Sequence, residues 1–164
     1  MRFLEDIPIG ERVELGSHTF TTDAIKSFAR RFDPQPFHLD EAAAKRSLFG
    51  ALCASGWHTA ATAMRLRVQY QQRETAQMRA RGEPVAALGP SPGFRDLKWL
   101  KPVYVGDTIS YTIEYTEKRV SSSRPGWGLI SFRNIGTNQN GEAVLSFMSV
   151  VFLECRKETA KGAS

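Results

Sequence analysis

A carboxylate and an imidazole lie close together in residues 32–40, which read Phe-Asp-Pro-Gln-Pro-Phe-His-Leu-Asp. They belong to Asp33 and His38, and the prolines Pro34 and Pro36 between them stiffen the backbone and prevent it from continuing a helix. General acid–base catalysis near neutral pH uses such groups when both reach one substrate or water. The segment therefore predicts a proton-transfer site. The alternative is a surface turn whose polar groups satisfy the nearby backbone.

The residues after this segment predict two helices. Asp40 is a good N-cap for a short helix over residues 41–46. A break follows at Phe-Gly, residues 49–50, and Ser55-Gly56 then begins a second, longer helix. The two proton-transfer groups therefore precede a long helix, with a short helix and a break between them.

This part of the chain resembles the MaoC-like dehydratases, a family that includes the R-specific enoyl-CoA hydratases. Their signature reads Asp-x-Asn-Pro-x-His-x-Asp, then an Ala-rich turn, a Phe-Gly-like break and a pair of small residues with Gly at the start of the central helix. Two positions differ: Gln35 stands where the signature has Asn, and Ser55 precedes Gly56 where many members have His. The matching residues are Asp33, Pro36, His38, Asp40, Ala44, Phe49, Gly50 and Gly56.

The resemblance implies reversible hydration of a trans-2-enoyl thioester to an (R)-3-hydroxyacyl thioester. It implies that Asp33 and His38 share one water and that coenzyme A belongs to the substrate, with no further cofactor. Backbone N–H groups at Gly56 are expected to stabilise the thioester oxygen, because a helix N-terminus favours negative charge. Helix–sheet packing is the alternative role for Gly56. Three further residues are expected to bind substrate: Gln35, Ser55 and Trp57, with helix capping as the alternative role for Ser55.

Two other functions remain open beside hydration. A hotdog thioesterase shares the fold and the acyl-CoA substrate but attacks the thioester carbonyl, and a non-catalytic acyl-binding subunit would keep the fold without the chemistry. The presence of both Asp33 and His38 argues against each of them.

Composition indicates one globular domain. The chain has 164 residues, of which 41% are hydrophobic and 24% charged, which is the balance of an ordinary globular protein. We expect the domain to cover residues 1–156 and the tail, residues 157–164, to be frayed. No apolar run approaches the ~18 residues of a membrane span, and the first residues lack the apolar core of a secretion signal. The expected location is the cytoplasm.

Charge and metal-ligand patterns add no other function. The net charge is +5, but no tight basic block or nucleic-acid motif accompanies it. Arginines between residues 65 and 81 are best explained as a solvated helix face, although some of them, with Arg95, Lys98 or Lys101, could attract the phosphates of coenzyme A. Neither cysteine has metal-ligand spacing with a histidine, so no metal site is expected and both are predicted to be buried.

The first half of the chain predicts one strand and then helices. A strand over residues 11–21 precedes a helix that Thr22 caps and that ends at residue 32. The helix beginning at Gly56 is expected to run to about residue 73. Apolar residues nearly surround it and leave only a narrow polar stripe (His58, Thr62, Arg65, Gln69 and Gln72). Such a helix is expected to be enclosed by the rest of the fold, with Trp57 and Met64 in the pocket or the core.

The second half predicts an antiparallel sheet. Residues 76–93 are rich in Gly, Pro and small side chains and predict a loop with some helix at its start. This loop could form a flap that sets the length of the acyl tunnel. Strands are predicted over residues 94–100, 108–120, 128–138 and 142–155, and Asn140-Gly141 predicts a type I′ turn between the last two. The last strand is apolar on both faces, so something besides the helix is expected to cover it.

These elements predict an α+β protein, in which a curved antiparallel sheet of about five strands wraps around a long central helix. This is the hotdog fold, which the resemblance also implies. Because hotdog proteins pair through their sheets, a homodimer or a larger dimer-based assembly is expected. The expected substrate is an acyl-CoA or an acyl group on acyl carrier protein.

Overall fold

Five antiparallel strands form one sheet in the computed structural model, which describes residues 1–156. Their order across the sheet is β1-β3-β4-β5-β2, which confirms the predicted five-stranded sheet, with strand ends within two residues of those expected. The predicted tail, residues 157–164, lies outside the described residues. The strands are β1 (Arg12–Thr19), β2 (Gly93–Trp99), β3 (Thr108–Val120), β4 (Trp127–Thr137) and β5 (Ala143–Glu154).

Four α-helices precede β2: α1 (Thr22–Phe32), α2 (Pro36–Leu39), α3 (Glu41–Arg46) and α4 (Gly56–Ala80). The cap of α1 is Thr21 and not Thr22, since the Thr21 hydroxyl accepts a hydrogen bond from the Ala24 N–H at 3.2 Å. The single turn of α2 was not predicted. It begins at Pro36, whose fixed φ suits the first helical position.

The inward side chains of the sheet form the core. The alternation predicted for β3 is confirmed, because Ile109, Tyr111, Ile113 and Tyr115 are all buried. The hairpin between β4 and β5 is also present, but the type I′ prediction is wrong: only Gly141 has a positive φ, of 79°. Its N–H bonds to the Asn138 carbonyl at 3.0 Å, as in a type I turn followed by a left-handed glycine.

The orientation of α4 differs from the prediction. His58 and Thr62 of the expected polar stripe are buried, whereas Trp57, Met64 and Val68 are 50%, 49% and 41% exposed. The helix is therefore not enclosed by its own chain. Periodicity misjudges its inner face because polar groups there find partners or aromatic contacts.

Three contacts show how α4 accommodates these polar groups. The Thr59 hydroxyl donates to the Gly56 carbonyl at 2.7 Å, and the Tyr111 hydroxyl donates to the Thr59 carbonyl at 3.1 Å. The Arg67 guanidinium lies 3.9 Å from the centre of the Phe132 ring, and burial lowers the pKa of Arg67 to about 10. Cation–π attraction of this kind offsets part of the loss of hydration.

His58 joins α1 to the start of α4 through aromatic packing. Its ring stacks on Phe28 with centroids 4.5 Å apart and meets the edge of Phe20 at 4.9 Å. Its Nδ1 atom is buried without a hydrogen-bond partner among the described residues. Burial, assisted by the nearby His18 and Arg65, lowers the pKa of His58 to about 4. The ring is therefore neutral at physiological pH and acts as part of the core.

The segment between α4 and β2 packs along β5 and does not form the predicted flap. α4 continues to Ala80 and not to residue 73, and residues 81–92 then run along β5. Phe152 receives a hydrogen bond from Gly89 N–H at 2.9 Å and donates to the Pro90 carbonyl at 3.1 Å. This segment, rather than the helix, covers part of the doubly apolar β5. Within residues 1–156 no helix is both long and apolar enough to cross a membrane.

The depressed pKa of His58 makes a prediction about stability. In the unfolded chain the imidazole regains its ordinary pKa near 6.5. Between pH 7 and pH 5 the unfolded state therefore binds a proton at His58, whereas the folded state does not. The free energy of unfolding should therefore fall between pH 7 and pH 5, by about 2 kcal/mol from this group. His58→Phe keeps the stacking and removes this titration.

Urea denaturation of both proteins at the two pH values checks this expectation. Carboxylates titrate in both proteins, so the difference between the two pH-dependent losses isolates His58. Equal losses in the wild type and in His58→Phe would contradict the assignment.

Candidate active site

The ends of two short elements bring Asp33 and His38 together. α1 ends at Phe32, so Asp33 follows its last residue, and the turn of α2 brings His38 back towards it. The Asp33 Oδ2 and His38 Nε2 atoms lie 3.5 Å apart, and the two side chains are 18% and 5% exposed. The stiff loop thus aims both groups at one point.

A backbone hydrogen bond sets the tautomer of His38. Its Nδ1 atom lies 2.8 Å from the carbonyl oxygen of Cys53, and a carbonyl only accepts, so Nδ1 carries the hydrogen. In the neutral ring Nε2 is then an acceptor that faces Asp33. The Cys53 thiol lies 3.8 Å from the same Nδ1. Burial raises the pKa of Cys53 to about 11, so the thiol stays protonated.

Two side chains hold the carboxylate of Asp33. Gln35 Nε2 donates to Asp33 Oδ1 at 2.8 Å, and the neighbouring Ser55 hydroxyl favours the ionised form of this carboxylate. Partial burial alone would raise the pKa of Asp33, but the hydrogen bonds from Ser55 and Gln35 and the neighbouring His38 outweigh it and lower the pKa. Asp33 is therefore ionised at neutral pH and, like His38 Nε2, accepts hydrogen bonds.

Two acceptors at this separation suit one water molecule. A water oxygen can lie within ordinary hydrogen-bond distance, about 2.8 Å, of both atoms and donate one hydrogen to each. It then sits beside the pair and not between them, with its lone pairs directed away from Asp33 and His38. A water held in this way would be a nucleophile with two positioned proton acceptors.

A cavity of about 380 Å³ adjoins the pair. Of the six residues predicted for the site, five line it: Asp33, Gln35, His38, Gly56 and Trp57. The sixth, Ser55, is 1% exposed and caps α4, because its hydroxyl oxygen accepts a hydrogen bond from the Trp57 N–H at 3.2 Å.

Sequence reasoning missed the wall formed by residues 99–103, which begins at the last residue of β2, and the lining residues Phe37 and Thr59. The sequence indicates only Lys101 of this wall, as a partner for phosphate, and Lys101 forms an ion pair with Glu142. Arg95 and Lys98 do not line the cavity. No local pattern marks this wall, because the sheet brings it to the site from a distant part of the chain.

The space left by the absent side chain of Gly56 is occupied by another part of the protein and is not open to a ligand. A Cβ atom there would overlap the indole ring of Trp99, so the packing role predicted as the alternative applies. Trp99 in turn meets Trp57 edge to face, with ring centroids 5.2 Å apart. The Gly56 N–H is the first of its helix and has no intrahelical acceptor, so it remains a possible donor to a ligand.

No metal-binding cluster accompanies the site. Within residues 1–156, no three His, Cys, Asp or Glu side chains are grouped to hold a metal ion. Both cysteines are free and buried, as predicted.

Known proteins share both the sequence and the architecture. A MaoC-like dehydratase from Rhodospirillum rubrum is 36% identical, with a TM-score of 0.79 over 96% of this chain and 99% of that one. A structure described as a monoamine oxidase regulatory protein from Archaeoglobus is 28% identical, with a TM-score of 0.78 over 95% and 96%. Mesaconyl-CoA hydratase of Cereibacter sphaeroides is 38% identical over 71 residues, which are 42% of this chain and 20% of that enzyme.

The family pattern of the MaoC-like domain matches residues 6–125, which include the Asp33–His38 loop, α4 and the whole of β3. Together with the five-stranded sheet and the long helix, this match identifies the chain as a member of the MaoC-like dehydratase family with the hotdog fold.

Proposed function

We propose that this protein is a cytoplasmic enzyme that reversibly hydrates a trans-2-enoyl-CoA to the (R)-3-hydroxyacyl-CoA. The observation that carries the proposal is the convergence of Asp33 Oδ2 and His38 Nε2, 3.5 Å apart, beside a cavity of about 380 Å³. Membership of the MaoC-like family supports it. Coenzyme A enters as part of the substrate, and the proposed reaction uses no resident cofactor.

The proposed mechanism needs a water, the Asp33–His38 pair and a donor to the thioester oxygen. The water oxygen adds to C3 while the pair removes one of its protons, and the pair delivers a proton to C2 on the same face. Negative charge moves to the thioester oxygen as the C2–C3 double bond breaks, and the Gly56 N–H at the start of α4 stabilises it. The second hydrogen of the water stays on the new hydroxyl group, so atoms and charge balance.

A product assay separates hydration from its competitors. Crotonyl-CoA and mesaconyl-CoA are incubated with the pure protein while enoyl absorbance and free thiol are followed. Loss of absorbance without thiol supports hydration, and release of thiol supports a thioesterase. Binding of either compound with neither change supports a non-catalytic acyl-binding protein. The same acyl groups on acyl carrier protein test the carrier.

Removal of either proton-transfer group should abolish most of the activity. We expect Asp33→Asn and His38→Ala each to lower hydratase turnover by roughly 10²–10⁴, the usual contribution of positioned acid–base groups. Asp40→Asn is the matched control, since Asp40 caps α3 and Asn keeps that cap. Turnover like that of the wild type in Asp33→Asn or His38→Ala, with turnover in Asp40→Asn unchanged, would refute the assignment.

The hydrogen bond from Gln35 to Asp33 should determine the pH below which activity is lost. Because it favours the ionised form, its loss in Gln35→Leu raises the pKa of Asp33, and activity is then lost at a higher pH on acidification. We therefore expect the acid limb of kcat/KM to move to higher pH in this variant. Gln35→Asn, which keeps an amide, is the control. An acid limb that stays in place in Gln35→Leu would show that Asp33 does not govern it.

A homodimer is the second part of the proposal. Edge strand β2 and the outer face of α4 expose apolar side chains that meet where Trp57 contacts Trp99. Exposed Met64 and Val68 continue this surface along α4, and exposed Phe94 continues it along β2. A contiguous apolar surface beside an open strand edge suits a second copy of the chain.

Charge on the outer face of α4 should break this dimer. We expect the double variant Met64→Glu with Val68→Glu to halve the mass measured by light scattering after size exclusion, because two carboxylates would be desolvated in the interface. Val120→Glu is the control, since Val120 is 67% exposed at the end of β3. A dimer that persists in the double variant would exclude this face as the interface.

A further inference from the structure

We infer that Trp99 is a further catalytic residue of the hydration reaction and that its indole N–H is a second donor to the thioester oxygen, beside the Gly56 N–H. The inference rests on the proposed function, because it concerns the oxygen that becomes negative in that reaction. Two donors aimed at one developing charge are a common solution in acyl chemistry.

Backbone pairing fixes the position of Trp99. It is the last residue of β2 and pairs with Leu145 of β5, and the next residue, Leu100, donates its N–H to the Val144 carbonyl at 2.8 Å. The ring is held on two sides, against the Cα of Gly56 and against the face or edge of Trp57 at an interplanar angle of 79°. The indole is thus a rigid group on the sheet and not a loose surface side chain.

The pyrrole ring of this indole lies face-on over the start of α4, with its N–H edge beside the contact. Trp99 Nε1 lies 2.5 Å from the place that a Cβ of Gly56 would occupy. Standard geometry puts a Cβ about 2.5 Å from its own backbone nitrogen, so the two nitrogens lie within about 5 Å of each other. Two donors at that separation can both reach one oxygen at hydrogen-bond distance, about 2.7–3.1 Å from each.

The other polar side chains of the cavity wall already have partners. Gln35 donates to Asp33, His38 Nδ1–H to Cys53, and the Thr59 hydroxyl to Gly56. Lys101 is paired with Glu142.

The indoles of Trp57 and Trp99 remain, and both are about half exposed. Neither indole N–H has an acceptor among the described residues, and Trp99 Nε1 stands at the Gly56 backbone, where the thioester oxygen is proposed to bind.

Trp99→Phe distinguishes a role as hydrogen-bond donor from a role as lining of the cavity, because Phe keeps an aromatic ring and lacks the N–H. We expect kcat for crotonyl-CoA hydration to fall by about 10², the effect of losing one oxyanion donor, with KM within about threefold of the wild type. The affinity for saturated butyryl-CoA, which forms no enolate, should stay unchanged. Trp99→Leu is a second variant without the donor and should show the same loss of kcat.

Trp127→Phe is the matched control, since Trp127 begins β4 and lies outside the cavity wall; its kcat should equal that of the wild type. A kcat for Trp99→Phe equal to that of the wild type, with butyryl-CoA still bound, would overturn the donor role and leave the proposed function intact. Wild-type protein that hydrates no enoyl thioester would overturn the proposed function and the inference together.

Discussion

The hydrogen bond from the His38 ring to the Cys53 carbonyl is the constraint on which the site depends. It assigns the ring hydrogen to Nδ1, and the neutral ring then presents Nε2 to the cavity as an acceptor. Asp33, kept ionised by Gln35 and Ser55, is a second acceptor at 3.5 Å. With the opposite tautomer, Nε2–H would bond directly to Asp33, and the two groups could not both accept hydrogens from one water.

The site is assembled from parts that lie far apart in the chain. The end of α1 supplies Asp33, the turn of α2 supplies His38, the start of α4 supplies Ser55 and Gly56, and the end of β2 supplies Trp99. Rigid elements hold each of them, which favours a preorganised site. The His58–Phe28 stack helps to position the site, because it packs the helix that precedes Asp33 against the helix that follows Ser55.

Local patterns predicted what local forces decide. The alternation in β3, the Asp40 cap and the Asp33–His38 loop were readable because strand period, capping and proline stiffness act within a few residues. Two features that depend on non-local contacts could not be predicted from local patterns. Trp99 reaches Gly56 only through the order of strands in the sheet. The outward face of α4 was misjudged because a hydrogen bond, ring stacking and a cation–π contact accommodate Thr59, His58 and Arg67 inside the fold. Hydrophobicity alone therefore did not show which side is buried.

The central claim is that Asp33 and His38 act on one water as a unit, and a double-mutant cycle tests it most directly. Turnover with an enoyl-CoA is measured for the wild type, Asp33→Asn, His38→Ala and the double variant. Groups that act as a unit are strongly non-additive, so the double variant should be about as slow as the slower single variant. Losses that multiply in the double variant would contradict the account, because they would show that the carboxylate and the imidazole work independently.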